Sequence, residues 1–541
     1  MVFKRFFCKI LVFILLLSTL SGCSNKNSAK NQIRKCNLES EPISLDPQIC
    51  NDISGKIVIS NIFEGLTKID ESGNVTLGVA DSFESSGDFT EFTFHLKKDL
   101  YWGSKDKKPL LAKDFAFAIK RALNKSTNAP NAHLLYCIKN ARKFNEGYSN
   151  ESNLGIKILN DHTINFILEY SNKDFPRLMA ETIAMPCNEE FFKNSSGQYG
   201  VEADKILGNG AFRLSKYGWD HYKTINLVRN ENYKDANKVI PRGVTFFINK
   251  NPDNIVNSVK NKVYDFSFIP SEQLKEAEKE KLNILKTKEN TFWGLVFNPE
   301  NSLTANLNYK KAIVTSFNRG HILSVLKDVK DVILLKDLTN RQKLLFSSTE
   351  DKHDILGIDF DTLYSGDPLK YLDAAIKETK LKNISGITIT CINNDTTRKL
   401  VSNMIENLNT RLNQHFNMLP ISKDELISKA NSKDYQIAVV PIKFDGNYLY
   451  DFLNSFKNSD QSSLIKITDS KYESYLKESL KGPLKNMKEN IYKARNYILD
   501  NVIFYPLYAE PSYFLFSKNL HNLEFIKESG TVNFAKIEKV K

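Results

Sequence analysis

The feature that most constrains this chain is its first segment, where a basic start is followed by an apolar run that ends at a cysteine. Three basic residues lie within the first nine positions, residues 10–20 are apolar, and small residues lead to Cys23. Charge, then apolarity, then small residues is the layout of a secretory signal. The apolar run is shorter than the about 20 residues that a transmembrane helix needs. The sequence therefore predicts a body that folds outside the cytoplasm.

The end of this segment indicates how the body is held. Residues 20–23, Leu-Ser-Gly-Cys, resemble the bacterial lipobox, in which a peptidase cuts before the cysteine and the cysteine carries lipid. We therefore expect a signal peptide at residues 1–22, lipidation at Cys23 and a polar tether at residues 23–32. The predicted location is the outer face of the cell membrane. The alternative is an ordinary signal with a chance cysteine.

Composition indicates a folded body and excludes some partners. The chain has 541 residues, 41% of them hydrophobic, which favours two or three lobes over one core. Beyond the first segment, no apolar run is long enough to cross a membrane. The formal net charge of +12 is scattered among acidic residues. Because no basic block is interleaved with aromatic residues, we expect no nucleic-acid partner.

The cysteines leave two alternatives open. Without Cys8 and Cys23, an odd number remains, and these cannot all pair within one chain. Bridges Cys36–Cys50 or Cys137–Cys187 are one alternative, and buried free thiols, with Cys391, are the other. No Cys-x-x-Cys occurs, so we expect no zinc or thioredoxin-like site.

Short β-branched or alternating runs and helical spacing follow one another along the whole chain. Strands are predicted at residues 92–96, 163–168, 212–214, 224–228, 244–248, 264–268, 292–297, 387–392, 436–440 and 502–508. Helices are predicted at residues 115–123 with Asp114 as N-cap, at 253–260, from 368 to 375, at 400–412 and at 484–498. This succession predicts an α/β fold with partly parallel sheets.

Catalytic motifs are missing from the sequence. It contains no Gly-x-Ser-x-Gly, no His-Glu-x-x-His and no phosphate-binding loop, and its eight histidines are dispersed. Gly208 and Gly210 lead into a strand rather than a helix, and Asp359 and Asp361 are expected in a solvated loop. We therefore expect no enzyme, no metal and no cofactor. A multi-lobed body outside the membrane suits solute capture between lobes that close on a ligand.

Ordered motifs carry a resemblance to a known family. They are EPISLDP at residues 41–47, IFEGLT at 62–67, FTFHLKKDLYW at 92–102, AKDF at 112–115 and PLY at 506–508. In order and spacing the chain resembles the oligopeptide- and dipeptide-binding solute receptors of bacterial ABC importers (extracellular solute-binding protein family 5), in their lipoprotein form. The resemblance covers residues 38–513.

The resemblance implies a three-lobed, periplasmic-binding-protein-like fold whose two main lobes are joined by a two-strand hinge. The first lobe would comprise residues 33–70, 201–292 and 506–541. The extra lobe would comprise residues 71–200, and the opposing lobe residues 293–505. The hinge strands would lie near residues 292–297 and 503–507.

The resemblance also implies ligand-binding residues. In the family, an aspartate of the opposing lobe meets the amino terminus of the bound peptide, and alignment on Phe452 and Leu453 places Asp445 there. A carboxylate facing an ammonium in a closed cleft is a strong contact. Glu41 and Pro42 match the strand that lines the cleft from the first lobe, where Glu41 either contacts the ligand or sits at the strand edge.

The resemblance implies a monomeric receptor that captures peptides and delivers them to the permease of an ABC importer, with the membrane contacted through the lipid anchor. Ile442 and Gly446 stand where the family motif has tryptophan and tyrosine. This change keeps a non-peptide solute (a nickel complex, haem or a sugar) as an alternative. A signalling or adhesive lipoprotein without transport is a further alternative.

Overall fold

The computed structural model describes residues 32–249, 254–317, 319–327, 329, 331–335, 338, 363–381, 384, 386–444, 448–457 and 465–539. These residues divide into two compact units. Unit 1 ends at Lys286 and resumes at Tyr513, and unit 2 runs from Thr287 to Ser512. The lobe boundaries expected from the family resemblance stay a prediction.

Unit 1 contains most of the strands. They are β1 (Ile33–Leu38), β2 (Thr67–Ile69), β3 (Val75–Leu77), β4 (Ala80–Ser85), β5 (Glu91–Leu96), β6 (Ile156–Asn160), β7 (Thr163–Ile167), β8 (Phe212–Asp220), β9 (Thr224–Arg229), β10 (Gly243–Ile248) and β11 (Phe266–Ile269). Its α-helices are Ile53–Ile62, Ala112–Leu123, Ala141–Asn145, Phe175–Leu178, Glu189–Asn194, Ile255–Lys260 and Leu274–Lys279.

The strand β12 (Asn283–Phe297) carries the chain from unit 1 into unit 2. Unit 2 then contributes β13 (Ile333–Leu334), β14 (Ile387–Ile392), β15 (Phe416–Ile421) and β16 (Ile437–Lys443). Its α-helices are Leu307–Thr315, Arg319–Val325, Pro368–Thr379, Asp395–Leu412, Lys423–Asn431, Leu449–Ser455, Ser470–Glu478 and Leu484–Asp500. The strand β17 (Phe504–Phe516) returns the chain to unit 1, where β18 (Leu520–His521), β19 (Glu524–Ile526), β20 (Thr531–Asn533) and β21 (Glu538–Lys539) follow.

Both units are built on mixed sheets, which confirms the α/β class. In unit 1, β1 runs parallel to β10 and β11, while β8, β9 and β10 are antiparallel neighbours. The strands β4, β5, β7 and β6 form a separate antiparallel sheet. In unit 2, β14 runs parallel to β15 and β16, and β16 is antiparallel to β12. Parallel pairs need crossover helices, and the helix Asp395–Leu412 connects β14 to β15.

The helix Ala112–Leu123 corrects one sequence expectation. Asp114 was expected as its N-cap, but the helix begins three residues earlier than expected, with Leu111 at the N-cap position. The Asp114 carboxylate accepts hydrogen bonds from the Leu111 amide (2.9 Å) and from the Trp102 indole (3.3 Å). It therefore reaches back to the helix start from the third helical position, as the acidic partner of a capping box does.

The five cysteines among the described residues are free and buried, so the structure favours the free-thiol alternative. Burial raises the pKa of every one of these thiols, and the pKa of Cys391 rises to about 11. Buried thiols with raised pKa values are poor nucleophiles, because the thiolate is the reactive form. These cysteines are therefore packing residues.

Candidate functional site

Glu41 and Pro42 lie in the loop that follows β1, which ends at Leu38. Their expected strand position is therefore wrong. Pro42 is buried, whereas Ile43 next to it is 81% exposed. The loop then turns inward again at Leu45 and Asp46, both of them buried. The loop thus exposes one apolar side chain between two buried anchors.

The Glu41 carboxylate contacts the hairpin formed by β8 and β9. Its Oε1 atom lies 2.8 Å from the Trp219 indole nitrogen, which donates to it, and 2.8 Å from Nδ1 of His221. Its Oε2 atom accepts from the backbone amide of Tyr222 at 3.2 Å. The carboxylate is thus engaged by three neighbours within unit 1, and a ligand contact by Glu41 stays a prediction.

His221 connects this carboxylate to a second one. Its ring packs on Trp219 with centroids 4.7 Å apart, and its Nε2 atom lies 3.7 Å from Glu202. Trp219 is 7% exposed, so its indole nitrogen depends on Glu41 for a partner. Sequence reasoning missed Trp219 and His221. The nearest signal is the aromatic run KYGWDHY at residues 216–222, which does not identify the loop that it contacts.

Replacing Glu41 with alanine is expected to lower the free energy of unfolding by about 1–3 kcal/mol, since it leaves a buried indole donor without an acceptor. Guanidinium unfolding followed by tryptophan fluorescence measures the change. Glu202→Ala is the matched control, because the half-exposed Glu202 carboxylate makes only a long contact with His221. That contact contributes at most about 1 kcal/mol to the free energy of unfolding. An effect of Glu41→Ala no larger than that of Glu202→Ala would contradict the assigned role.

Asp445, the predicted contact for the ligand's amino terminus, lies outside the described residues. The chain before it is described: β16 pairs with β12, opposing Ile442 to Phe292, and the Phe444 amide donates to the Asn290 carbonyl at 2.7 Å. The chain resumes at Tyr448, the N-cap of the helix Leu449–Ser455. The described residues on either side of Asp445 thus belong to the end of β16 and to the start of the helix Leu449–Ser455.

A polar and aromatic cluster on β12 and β17 was not singled out from the sequence. Within unit 2, the Trp293 indole donates to Glu510 Oε1 at 2.8 Å, and the Trp293 ring stacks on Tyr508 at 5.6 Å. The Ser512 hydroxyl lies 3.0 Å from the Asn290 side-chain oxygen. The cluster binds the two crossing strands together through side chains.

Neither a metal-binding group nor a membrane-spanning helix occurs among the residues that the structure describes. They contain no group of three or more His, Cys, Asp or Glu side chains arranged to hold a metal ion. Within the same residues, no helix combines the length and apolarity needed to cross a membrane.

A mixed α/β chain that passes between two units through two strands has the architecture of bacterial solute-binding proteins, which close around ligands by hinge motion. The model of the bacterial extracellular solute-binding proteins, family 5, matches residues 74–463. The chain belongs to this family. The family consists of solute-binding receptors and not of enzymes. This confirms the prediction from the sequence that the chain is not an enzyme.

Named relatives agree with the family. The chain is 26% identical over 466 residues to the oligopeptide-binding protein OppA of Bacillus subtilis, covering 83% of each chain. It is 30% identical over 262 residues to the dipeptide-binding protein of Lactococcus lactis, covering 48% of this chain and 47% of the relative. The structure of Listeria monocytogenes OppA bound to peptide covers 94% of this chain and 99% of its own, with TM-score 0.70 and 20% identity. The expected multi-lobed fold is confirmed by this likeness.

Proposed function

We propose that this protein is a lipid-anchored extracytoplasmic receptor that captures peptides in a cleft between lobes and delivers them to an ABC importer. The observation that carries the proposal is the alignment with an oligopeptide-binding protein over 83% of both chains. The lipobox-like end of the first segment supports the anchor. A receptor held near the membrane meets its permease at a raised local concentration.

Native mass spectrometry of residues 24–541 purified from cells tests peptide capture. A series of co-purified masses that fragment as peptides is the expected result, because backbone pairing gives affinity with little dependence on sequence. A single mass that does not fragment as a peptide would favour the second candidate, a non-peptide solute held by the same fold. That candidate is favoured by Ile442 and Gly446, which replace the aromatic residues of the family motif.

Replacing Asp445 with alanine is expected to weaken peptide binding by about 10-fold or more, because truncating one partner of a buried charged pair costs several kcal/mol. Isothermal titration with a peptide identified by mass spectrometry measures the change. Asp424→Ala, at an exposed position in the first turn of the helix Lys423–Asn431, is the matched control. Equal affinity of the two variants would remove Asp445 from the proposed site.

Replacing Cys23 with alanine is expected to abolish incorporation of radioactive palmitate in growing cells, since the proposed acylated thiol is gone. Two acyl chains, at about 0.8 kcal/mol per buried methylene, are enough for stable membrane anchoring. Cys36→Ala is the control, because Cys36 is buried in β1 and is expected to leave labelling unchanged. Continued labelling of the Cys23→Ala variant would contradict the anchor.

A further inference from the structure

A cleft in unit 1 has no part in the proposed peptide site. Its volume is about 640 Å³, which falls within the range of small-molecule sites. Two carboxylates, two ammonium groups and two aliphatic side chains line it: Glu71, Glu524, Lys238, Lys536, Ile240 and Leu523. These residues come from three stretches of chain that lie far apart in the sequence.

The backbone of the cleft is held in place by hydrogen bonds. The turn that carries Glu71 is closed by Asp70, whose carboxylate accepts from the Ser72 and Asn74 amides at 2.9 Å. The segment that carries Lys238 and Ile240 is fixed by the Ile240 amide, which donates to the Ala535 carbonyl at 2.8 Å. The cleft is therefore formed before any ligand arrives, which lowers the entropic cost of binding.

Both lysines that line the cleft are paired with a carboxylate. Lys536 donates to Glu524 at 2.6 Å, and Lys238 lies 2.8 Å from Asp235. An ammonium has three donors and a carboxylate about four acceptor positions, so these pairs retain unused capacity. The lysine side chains are 58% and 68% exposed, and Glu71 is exposed, so these groups are accessible to a ligand.

We propose that this cleft binds a small zwitterion, with the ligand's ammonium at Glu71, its anionic group at Lys238 and its apolar part against Ile240 and Leu523. Each charge of such a ligand lies next to a side chain of opposite charge, Glu71 or Lys238. A purely anionic ligand would be repelled by Glu71, and a purely cationic ligand by Lys238. The matched ligand chemistry is therefore one ammonium and one anion on a short apolar frame.

Two sources offer this chemistry. One is a free amino acid, and the other is the ethanolamine phosphate headgroup of a membrane lipid. The Gln32 carbonyl accepts from the Arg242 amide at 3.1 Å, only two residues from Ile240. The cleft therefore lies near Gln32, which follows Cys23 by nine positions in the sequence. The lipid source rests on the proposed anchor, whereas the amino-acid source does not.

Methyl NMR of residues 24–541, labelled at isoleucine and leucine methyl groups, tests the proposal. L-leucine and glycerophosphoethanolamine are each titrated to about 20 mM, a range that detects dissociation constants near 1 mM. Saturable shifts of the Ile240 and Leu523 methyl signals with either probe are expected, and the probe that produces them identifies the source. Peptide binding elsewhere is expected to leave these two signals unchanged, so failure here is separable from failure of the proposed function.

Charge-neutralising variants test whether the cleft binds the zwitterion through its two charges. Glu71→Gln and Lys238→Gln are each expected to weaken binding by about 10-fold, the loss of one charge-assisted contact. Glu84→Gln and Lys223→Gln neutralise exposed charges that do not line the cleft and are expected to change nothing. Equal shifts with uncharged N-acetyl-leucinamide, or no shift with either zwitterion, would overturn the proposal.

Discussion

Replacing Arg121 with methionine is expected to lower the free energy of unfolding by about 3–5 kcal/mol, because it leaves the Asp46 carboxylate buried and unpaired. The guanidinium donates to both Asp46 oxygens, at 2.8 and 2.5 Å, and to the Gln48 side chain. Asp46 is 2% exposed and Arg121 is 8% exposed, so water cannot replace either partner. Chemical denaturation followed by circular dichroism measures the loss.

The packing around Arg121 adds to this expectation. The guanidinium carbon lies 4.5 Å from the centroid of the Phe192 ring and 5.3 Å from that of Tyr199. Methionine retains part of this apolar contact, so the measured loss reports mainly on the ion pair. The pair also fixes the loop that follows β1, since Asp46 lies five residues after Glu41.

A control variant and a double variant test whether the loss of stability in Arg121→Met comes from the buried ion pair with Asp46. Lys193→Met removes a helical surface pair with Glu189, whose two side chains are 67% and 53% exposed, and is expected to cost at most about 0.5 kcal/mol. The double variant Asp46→Asn with Arg121→Met is expected to lose less than the sum of the single variants. An Arg121→Met loss as small as that of Lys193→Met would contradict the buried-pair assignment.

The second large effect is a gain of stability in acid that depends on Asp114. Burial is the main cause that raises the pKa of Asp114 to about 6, against the smaller lowering by the hydrogen bonds from Leu111 and Trp102. An unfolded aspartate has a pKa of about 3.9. The folded protein therefore binds this proton more tightly, and the stabilisation is complete below about pH 4 and is lost as the pH rises through 6.

The expected size is about 2 kcal/mol between pH 4 and pH 7, out of the about 3 kcal/mol that a full shift of about two pKa units gives at about 1.4 kcal/mol each. Asp114→Asn keeps a side-chain oxygen for both donors and has no proton to bind, so this part of the pH dependence is expected to disappear. Because other carboxylates also titrate, the measured quantity is the difference between the two proteins in urea unfolding at pH 4, 5, 6 and 7. Asp106→Asn, at an exposed position, is the control, and a pH profile of Asp114→Asn parallel to the parent would refute the assignment.

Elements with a strong local period were predicted well. The β-branched run at β14 was predicted with the bounds that the structure has, Ile387–Ile392. The helix Leu484–Asp500 extends only two residues beyond its prediction, because its apolar positions recur at helical spacing and its buried residues include Met487, Ile491 and Ala494. Local patterns of this kind are determined by neighbours in the sequence.

Elements with mixed local signals were predicted less well. The strand β17 was expected to end near residue 508, but it runs to Phe516. Pro506 and Pro511 lie within it, and proline removes a donor from a ladder. The strand continues because Tyr513 to Phe516 pair with β11 of unit 1, a partner more than 240 positions away in the chain. No window of sequence contains that pairing.

The functional residues, like the helices and strands, divide into features that local sequence determines and features that only the folded protein creates. The leader pattern, the ordered motifs and the periodicity of helices and strands were readable from the sequence, because each depends on residues within one short segment. The engagement of Glu41 by Trp219, the ion pair of Asp46 with Arg121 and the charged cleft at Glu71 and Lys238 were decided only by the tertiary structure. Each of these joins side chains that are distant along the chain, and their energies come from burial and proximity that only the folded protein creates.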